Sequence, residues 1–359
     1  MHLAMTERRE LSSLRPPSKA KGKAIHYRNL FMNTEYKFTA AEFEAQIPTF
    51  KSKGITEFAI HDSALANDKQ KLLKIIRLIE KNVPELFVSI LINASTLDRE
   101  IISAAQNIFC SFDIPLDCTE KGGHLLFDKK FYANKARLLN EAGLVFGFHL
   151  TYAATPGDTL KLFSERLDFA VQQFPNHIEF PQIMNTELEP PKVTGTFSAQ
   201  DIRWCRDTAF ACRTFYTAGR AVPWFLSVLK PLRIYPSRFF SDFAEWQRVN
   251  NCSYKSGFNP EAENHKSIEK MQLIFLDEKY EEKHCHNLIT LMNDIVKING
   301  AMSRLAGEGE ESTLVTSYNP DDLLSEEACD LTAFSENVCM EECKVKIFSN
   351  GEYPDYEIQ

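Results

Sequence analysis

The chain has 359 residues, 44% of them hydrophobic, which is enough for one large domain with an appendage and too apolar for wholesale disorder. Lys and Arg number 41 against 49 Asp and Glu, a net charge of −8. This balance argues against a broad nucleic-acid surface, which would need a basic field. No apolar run is long enough to span a bilayer, so no membrane partner is expected. Nine cysteines, an odd number scattered through a long chain, fit a reducing cytoplasm better than a disulfide framework.

Residues 1–22 are polar and basic, with Arg15-Pro16-Pro17-Ser18-Lys19, and lack an apolar core of the secretory kind; they read as a flexible arm. From 23 to 186 short apolar runs alternate with amphipathic stretches. The runs are Ala24–Tyr27, Glu57–His61, Leu86–Ile92, Ile108–Ile114, Val145–Leu150 and His177–Phe180. Near-continuous apolar strands of this kind are expected to be covered on both faces. Between them, helix patterns start at a Thr39 capping box and stop at Lys53-Gly54, then run over Lys71–Lys81, Arg99–Asn107, Lys130–Ala142 and Thr159–Gln173. Alternating units imply a parallel sheet with right-handed crossovers. About six units, against the eight of a closed barrel, give an α/β partial (β/α)6 TIM-type barrel with a helical C-terminal appendage.

Residues 187–198, with Pro190-Pro191 and Gly195, read as a linker. Residues 199–306 read as a mainly helical cap, rich in aromatics and arginine and divided by Pro223, Pro231 and Pro236; Lys283–Leu305 carries its clearest helical pattern. Arginine beside aromatics, as in Arg213–Phe225, can stack bases. Packing of rings over an open barrel edge is the commoner use. Residues 307–359 read as an acidic tail, loop-like and solvated or partner-binding, with short strands expected near Val345–Phe348.

Three stretches carry a family resemblance: Phe50–Asp62, Phe112–Cys118, and Leu138–Leu150 with the Pro156-Gly157-Asp158-Thr159 turn behind it. In order and spacing they resemble the radical-SAM superfamily over roughly residues 24–185. The resemblance implies a barrel whose mouth binds S-adenosylmethionine. By that analogy His61, Asp62 and Ser63 would meet a methionine amino group, Asp117 or Glu120 a ribose, and His149 and Thr151 would line the pocket. The departure is chemical. The family holds three irons of a [4Fe–4S] cluster with Cys-x-x-x-Cys-x-x-Cys after the first strand. Here that loop reads Arg28–Glu35 without a cysteine, and Leu30, at the family's spacing, cannot ligate iron. A [4Fe–4S] cluster of that kind is not expected.

Read from the residues alone, His26, His61, Asp62, Asn93, Asp117, His149 and Thr151 fall near strand C-terminal ends, the ligand-binding end of a parallel barrel. Strand parity decides which point inward and which serve as caps. His26, His61, His149 and Asp117 also have the chemistry of a divalent-metal site. Gly122-Gly123 reads as a βα turn rather than an anion loop. His284-Cys285-His286 and Cys339-x-x-x-Cys343, with Cys329 ahead, are a second metal candidate; in a helix Cys339 and Cys343 would share a face. Two roles stay open. One is a pseudoenzyme scaffold binding a small molecule, a peptide or a protein partner. The other is an enzyme, radical-SAM or metal-dependent, using ligands held elsewhere.

Overall fold

The computed structural model of the chain describes residues 40–184, 190–351 and 353–359. The 1–22 arm, the expected strand at 24–27 with His26, and the Thr39 cap lie outside these residues. The chain divides into two compact units that meet between Leu150 and Thr151. That division falls inside the span 23–186 expected to form one domain.

The first unit alternates strand and helix: α1 Ala40–Lys53, β1 Glu57–Ile60, α2 Lys69–Asn82, β2 Phe87–Leu91, α3 Arg99–Ala105, β3 Phe109–Pro115, a hairpin of β4 Thr119–Lys121 and β5 His124–Leu126, α4 Lys129–Glu141, and β6 Val145–His149. Within this unit the strands β1, β2, β3 and β6 run parallel in that order, with Ile60 opposite Ile90, Ile90 opposite Phe112, and Phe112 opposite Phe146. Helices α2, α3 and α4 begin where the sequence supplies a cap. Asp68 accepts from the Lys71 amide, Asp98 from Glu100 and Ile101, and Asp128 from Phe131.

Alternation along the strands sorts the side chains into two unlike faces. One face carries Phe58, Ile60, Val88, Ile90, Cys110, Phe112, Ile114, Phe146 and Phe148, all buried. Phe58 stacks on Phe43 and Phe50 of α1 at 5.6 and 5.1 Å between ring centroids. The other face carries Ala59, Ser89, Ser111, Asp113, Gly147 and His149. This second face also carries Phe87, Leu91, Phe109, Pro115 and Val145. In β3 and β6 it is covered like the first, with Ser111, Asp113 and Gly147 buried as expected for strands covered on both faces, while in β1 and β2 it is half-buried. Gly122 and Gly123, at φ +62° and +79°, form the two-residue turn of the β4–β5 hairpin, so they close a β-hairpin and not a βα turn.

The second unit contains α5 Leu160–Val171, β7 His177–Glu179, α6 Pro181–Met184, α7 Ala199–Cys212, α8 Phe225–Leu229, α9 Pro236–Val249, α10 His265–Glu282, α11 Ile289–Glu308, β8 Ser312–Thr316, α12 Pro320–Leu323, α13 Leu331–Asn337, β9 Cys343–Ser349 and β10 Pro354–Ile358. The linker region ends in order: Phe197 is buried, and Ser198 with Asp201 forms the capping box of α7. The helix expected over Lys283–Leu305 starts at Ile289, because His284 adopts φ +56° in the turn between α10 and α11. The acidic tail is folded. Strands β8, β9 and β10 make an antiparallel sheet in the order β10-β9-β8, with Val345 and Ile347 fully buried. The charges there mislead because they alternate with buried residues along β9, where Lys344 is exposed and Cys343 and Val345 are not.

The aromatic–arginine block is core. A π-helical turn, Arg213–Ala218, follows α7 and buries Phe215 against Phe225, Phe239, Phe243 and Phe275, with centroids 4.9–6.3 Å apart. The Thr217 hydroxyl donates to the Ile178 carbonyl and accepts from the Ile178 amide, so it satisfies both backbone groups of a β7 residue. Arg213 meets Glu179 at 3.0 Å. Gly219 is obligatory: a Cβ there would overlap the Gln272 amide and the Phe215 carbonyl.

Two buried ionic arrangements tie this unit together. In the Pro156-Gly157-Asp158-Thr159 turn, Asp158 accepts from the amides of Ala153 and Thr159 and faces Arg166 at 3.3 Å; Arg166 also donates to the Thr151 carbonyl. Both side chains are at most 6% exposed. We expect Arg166→Met to destabilise the chain by about 3–5 kcal/mol, because it strands a buried carboxylate; chemical denaturation of the two proteins is the check. The second arrangement centres on His265. Its Nε2–H donates to the Gly219 carbonyl at 3.3 Å, and its Nδ1 accepts from Arg304, which also pairs with Glu269. Burial, then the charges of Arg220 and Arg304, push the His265 pKa down to about 4, against the partial relief of Glu308. The unfolded chain binds this proton more readily. Stability is therefore full above about pH 6.5 and is lost as pH falls toward 4, by roughly 3 kcal/mol. His265→Gln is expected to flatten that part of the stability–pH curve.

Candidate functional site

Four side chains of the first unit converge on the polar face of the parallel strands. Ser89 lies in β2, Asp113 in β3 and His149 at the end of β6, and His61 follows β1 by one residue. The register explains the meeting: Asp113 lies opposite Leu91 and Gly147, and Pro115 opposite His149. All four positions have the same parity. Gly147 presents no side chain beside Asp113, so His149, two residues on, can turn toward it.

Asp113 is the centre. Its side chain is 4% exposed, while those of His61 and His149 are 25% and 14% exposed. His61 Nε2 lies 2.8 Å from Asp113 Oδ2 and 3.0 Å from Ser89 Oγ, and the Ser89 hydroxyl donates to the same carboxylate oxygen. His149 Nε2 faces the other oxygen, Oδ1, at 3.6 Å. The two imidazoles meet edge to face, with centroids 5.7 Å apart. A buried carboxylate needs hydrogen-bond donors, and an imidazole facing it is most favourably protonated on the facing nitrogen. The arrangement therefore selects the Nε2–H tautomer and leaves Nδ1 as the acceptor.

This geometry is not a nucleophilic triad. A triad uses both nitrogens of its histidine, one for the acid and one for the hydroxyl. Here Ser89 and Asp113 share one nitrogen, and the serine proton goes to the carboxylate. What the cluster can do is present His61 as an acceptor of fixed tautomer, backed by a carboxylate that His149 also faces.

The structure places the other sequence-derived candidates elsewhere or gives them other work. Asp62 accepts from the amides of Ala64 and Leu65 and so staples its own loop. The Ser63 carbonyl accepts from Asn67, whose side chain also meets Asn93. The backbone amide and carbonyl of Asp117 both hydrogen-bond the Tyr132 hydroxyl. Glu120 is exposed on the hairpin. Thr151 belongs to the second unit, where its carbonyl is taken by Arg166. Of the expected set, the described residues His61 and His149 join the cluster. Ser89 and Asp113 were missed because each sits inside a run read as uniformly apolar; a polar residue at an inward parity was the available signal.

The second metal candidate is dispersed. Cys339 is exposed in the loop after α13, whereas Cys343 is buried at the start of β9, so they share no helical face. Cys329 is exposed in a 3-10 turn. His284 and His286 lie in the α10–α11 turn with centroids 6.1 Å apart, and the Cys285 thiol faces the Pro231 carbonyl. Among the described residues no group of three His, Cys, Asp or Glu side chains is arranged to hold a metal ion. Among the described residues no helix is long and apolar enough to cross a membrane.

No protein-family model matches the chain, and no curated protein matches it. Among solved structures it is similar to the radical S-adenosylmethionine methyltransferase TsrM from Kitasatospora setae, in a form with cobalamin and a [4Fe-4S] cluster and in a form with tryptophan and the SAM analogue aza-SAM. Each is 17% identical, with a TM-score of 0.32 over 39% of this chain. The matched regions are 28% and 29% of the enzyme's own length, so this chain spans less than a third of it. Residue roles do not carry across a likeness of that extent.

Asp113→Asn tests the tautomer argument without any ligand. In the wild-type protein, long-range proton–nitrogen NMR is expected to show His61 in the Nε2–H form, and in the variant a mixture of both tautomers.

Proposed function

We propose that the polar face of the parallel strands is a binding site for a small polar molecule, in a relative of the radical-SAM barrels that has lost the cluster. The observation that carries this reading is the convergence of His61, Ser89, Asp113 and His149 on a single face. Sequestering an ionised carboxylate and two imidazoles on a sheet costs stability relative to apolar packing. A structural sheet has no need of them, whereas a ligand site does. The three family-like sequence stretches supply the superfamily half of the proposal.

The thiols present do not fit a [4Fe–4S] cluster. Cys110 lies on the buried apolar face and burial pushes its thiol up to about 12; Cys212 is likewise buried and pushed well above its ordinary value. The remaining cysteines of the described residues are spread over separate elements. S-adenosylmethionine is the first small molecule to test, since it is the ligand that the resemblance implies.

A second reading, an enzyme using a general base, is favoured by one feature. His61 is hydrogen-bonded on one nitrogen to a buried carboxylate, and such an orienting group is what a catalytic imidazole requires. Both readings put the chemistry at His61, so one experiment addresses them together. Calorimetric titration of the full chain with S-adenosylmethionine is expected to give saturable binding in the wild type that His61→Ala and His149→Ala each weaken by about tenfold or more, as loss of a hydrogen bond to a charged partner predicts. Binding that both variants leave unchanged would place the ligand elsewhere.

A further inference from the structure

We infer that this site selects a small organic cation bearing N–H donors, an amine or a guanidine, and excludes phosphorylated molecules. The inference rests on the binding reading above and adds to it the class of ligand.

The first observation is the direction of the hydrogen bonds. With Nε2–H of His61 committed to Asp113 and Ser89, the atom left for a ligand is Nδ1, an acceptor. His149 turns its Nε2 toward the other carboxylate oxygen at 3.6 Å, beyond hydrogen-bond distance. In the Nε2–H tautomer His61 presents an acceptor and suits a ligand that donates.

The second observation is independent of the histidines. In parallel α/β folds, phosphates sit on free backbone amides at the helix N-termini that follow the strands. Here carboxylates of the chain already cap one or two of the amides at each of these starts. Asp62 holds the amides of Ala64 and Leu65, Asp68 that of Lys71, Asp98 those of Glu100 and Ile101, and Asp128 that of Phe131. The Lys71 amide holds the Asp68 carboxyl below its usual range, so this cap is charged where a phosphate would arrive.

Charge adds little. The loops that leave the C-terminal ends of β1, β2 and β3, residues 61–68, 92–98 and 116–128, contain six carboxylates and one lysine, Lys121. Lys69 and Lys71, which pair with Asp98 and Asp68, and Arg99, Lys129 and Lys130 at the starts of the following helices nearly balance them. The hydrogen-bond polarity, not a net field, is what disfavours an anion.

The test is a calorimetric panel on the full chain: agmatine and cadaverine as cations, adenosine monophosphate and pyrophosphate as anions, each against wild type, His61→Ala and Asp113→Asn, with folding checked by circular dichroism. The expected result is binding of agmatine, weakened by roughly tenfold or more in both variants and reduced by added salt, with no heat from either phosphate. Phosphate binding that depends on His61, with agmatine silent, would overturn the cation inference and leave the binding reading standing. If neither these probes nor S-adenosylmethionine gives a His61-dependent signal, the binding reading fails and the inference with it. Should the variants not fold, the His61 Nδ1 resonance of the wild type decides: it must shift on addition of agmatine, and an unmoved resonance overturns the inference.

Discussion

The first unit is organised around one constraint: a carboxylate placed inside a parallel sheet must be met by donors from the neighbouring strands. Asp113 has a pair of acceptor oxygens to satisfy and almost no access to water. Ser89 and His61 serve one oxygen and His149 faces the other. That requirement couples four strands. A one-residue slip of β2 would move Ser89 to the apolar face, and a slip of β6 would do the same to His149. The same alternation that closes Ile90, Phe112 and Phe146 against the helices keeps the polar groups together on the opposite side. The polar cluster and the hydrophobic core are thus two consequences of a single register.

The second unit solves a similar problem with helices. Its buried charges are each tied to backbone as well as to a partner. Arg166 reaches the Thr151 carbonyl along with Asp158, and His265 reaches Gly219 along with Arg304. Close approach is bought with glycine at two points. A Cβ on Gly219 would strike Gln272, and a Cβ on Gly300 would strike Glu269. The π-helical turn has a comparable use, since its extra residue brings Thr217 alongside Ile178 of β7 while Phe215 stays in the aromatic core.

Much of the first unit was legible in the sequence, because period-2 and period-3.6 patterns there are reinforced by local signals. The Asp caps at positions 68, 98 and 128, and the Gly54 stop at φ +62°, fix helix ends through short-range chemistry. What was not legible depended on tertiary pairing. His61 and His149 stand at strand ends and could be picked out by position, but Asp62 and Asn93 stand at strand ends too, and Asp62 bonds within its own loop while Asn93 bonds to Asn67 of the neighbouring one. The difference is parity, which a single sequence does not fix to one residue. Helix α10, from His265 to Glu282, was hidden for another reason. Its buried face includes Gln272, Lys279 and His265, polar residues whose partners lie on other elements.

The histidine–aspartate cluster is distributed over four strands, and Asp113 couples them. Removing the carboxylate leaves two imidazoles without their common partner, and removing His61 leaves a buried charge short of a donor. Each member is therefore held by the cost of losing it from the fold as well as by any ligand.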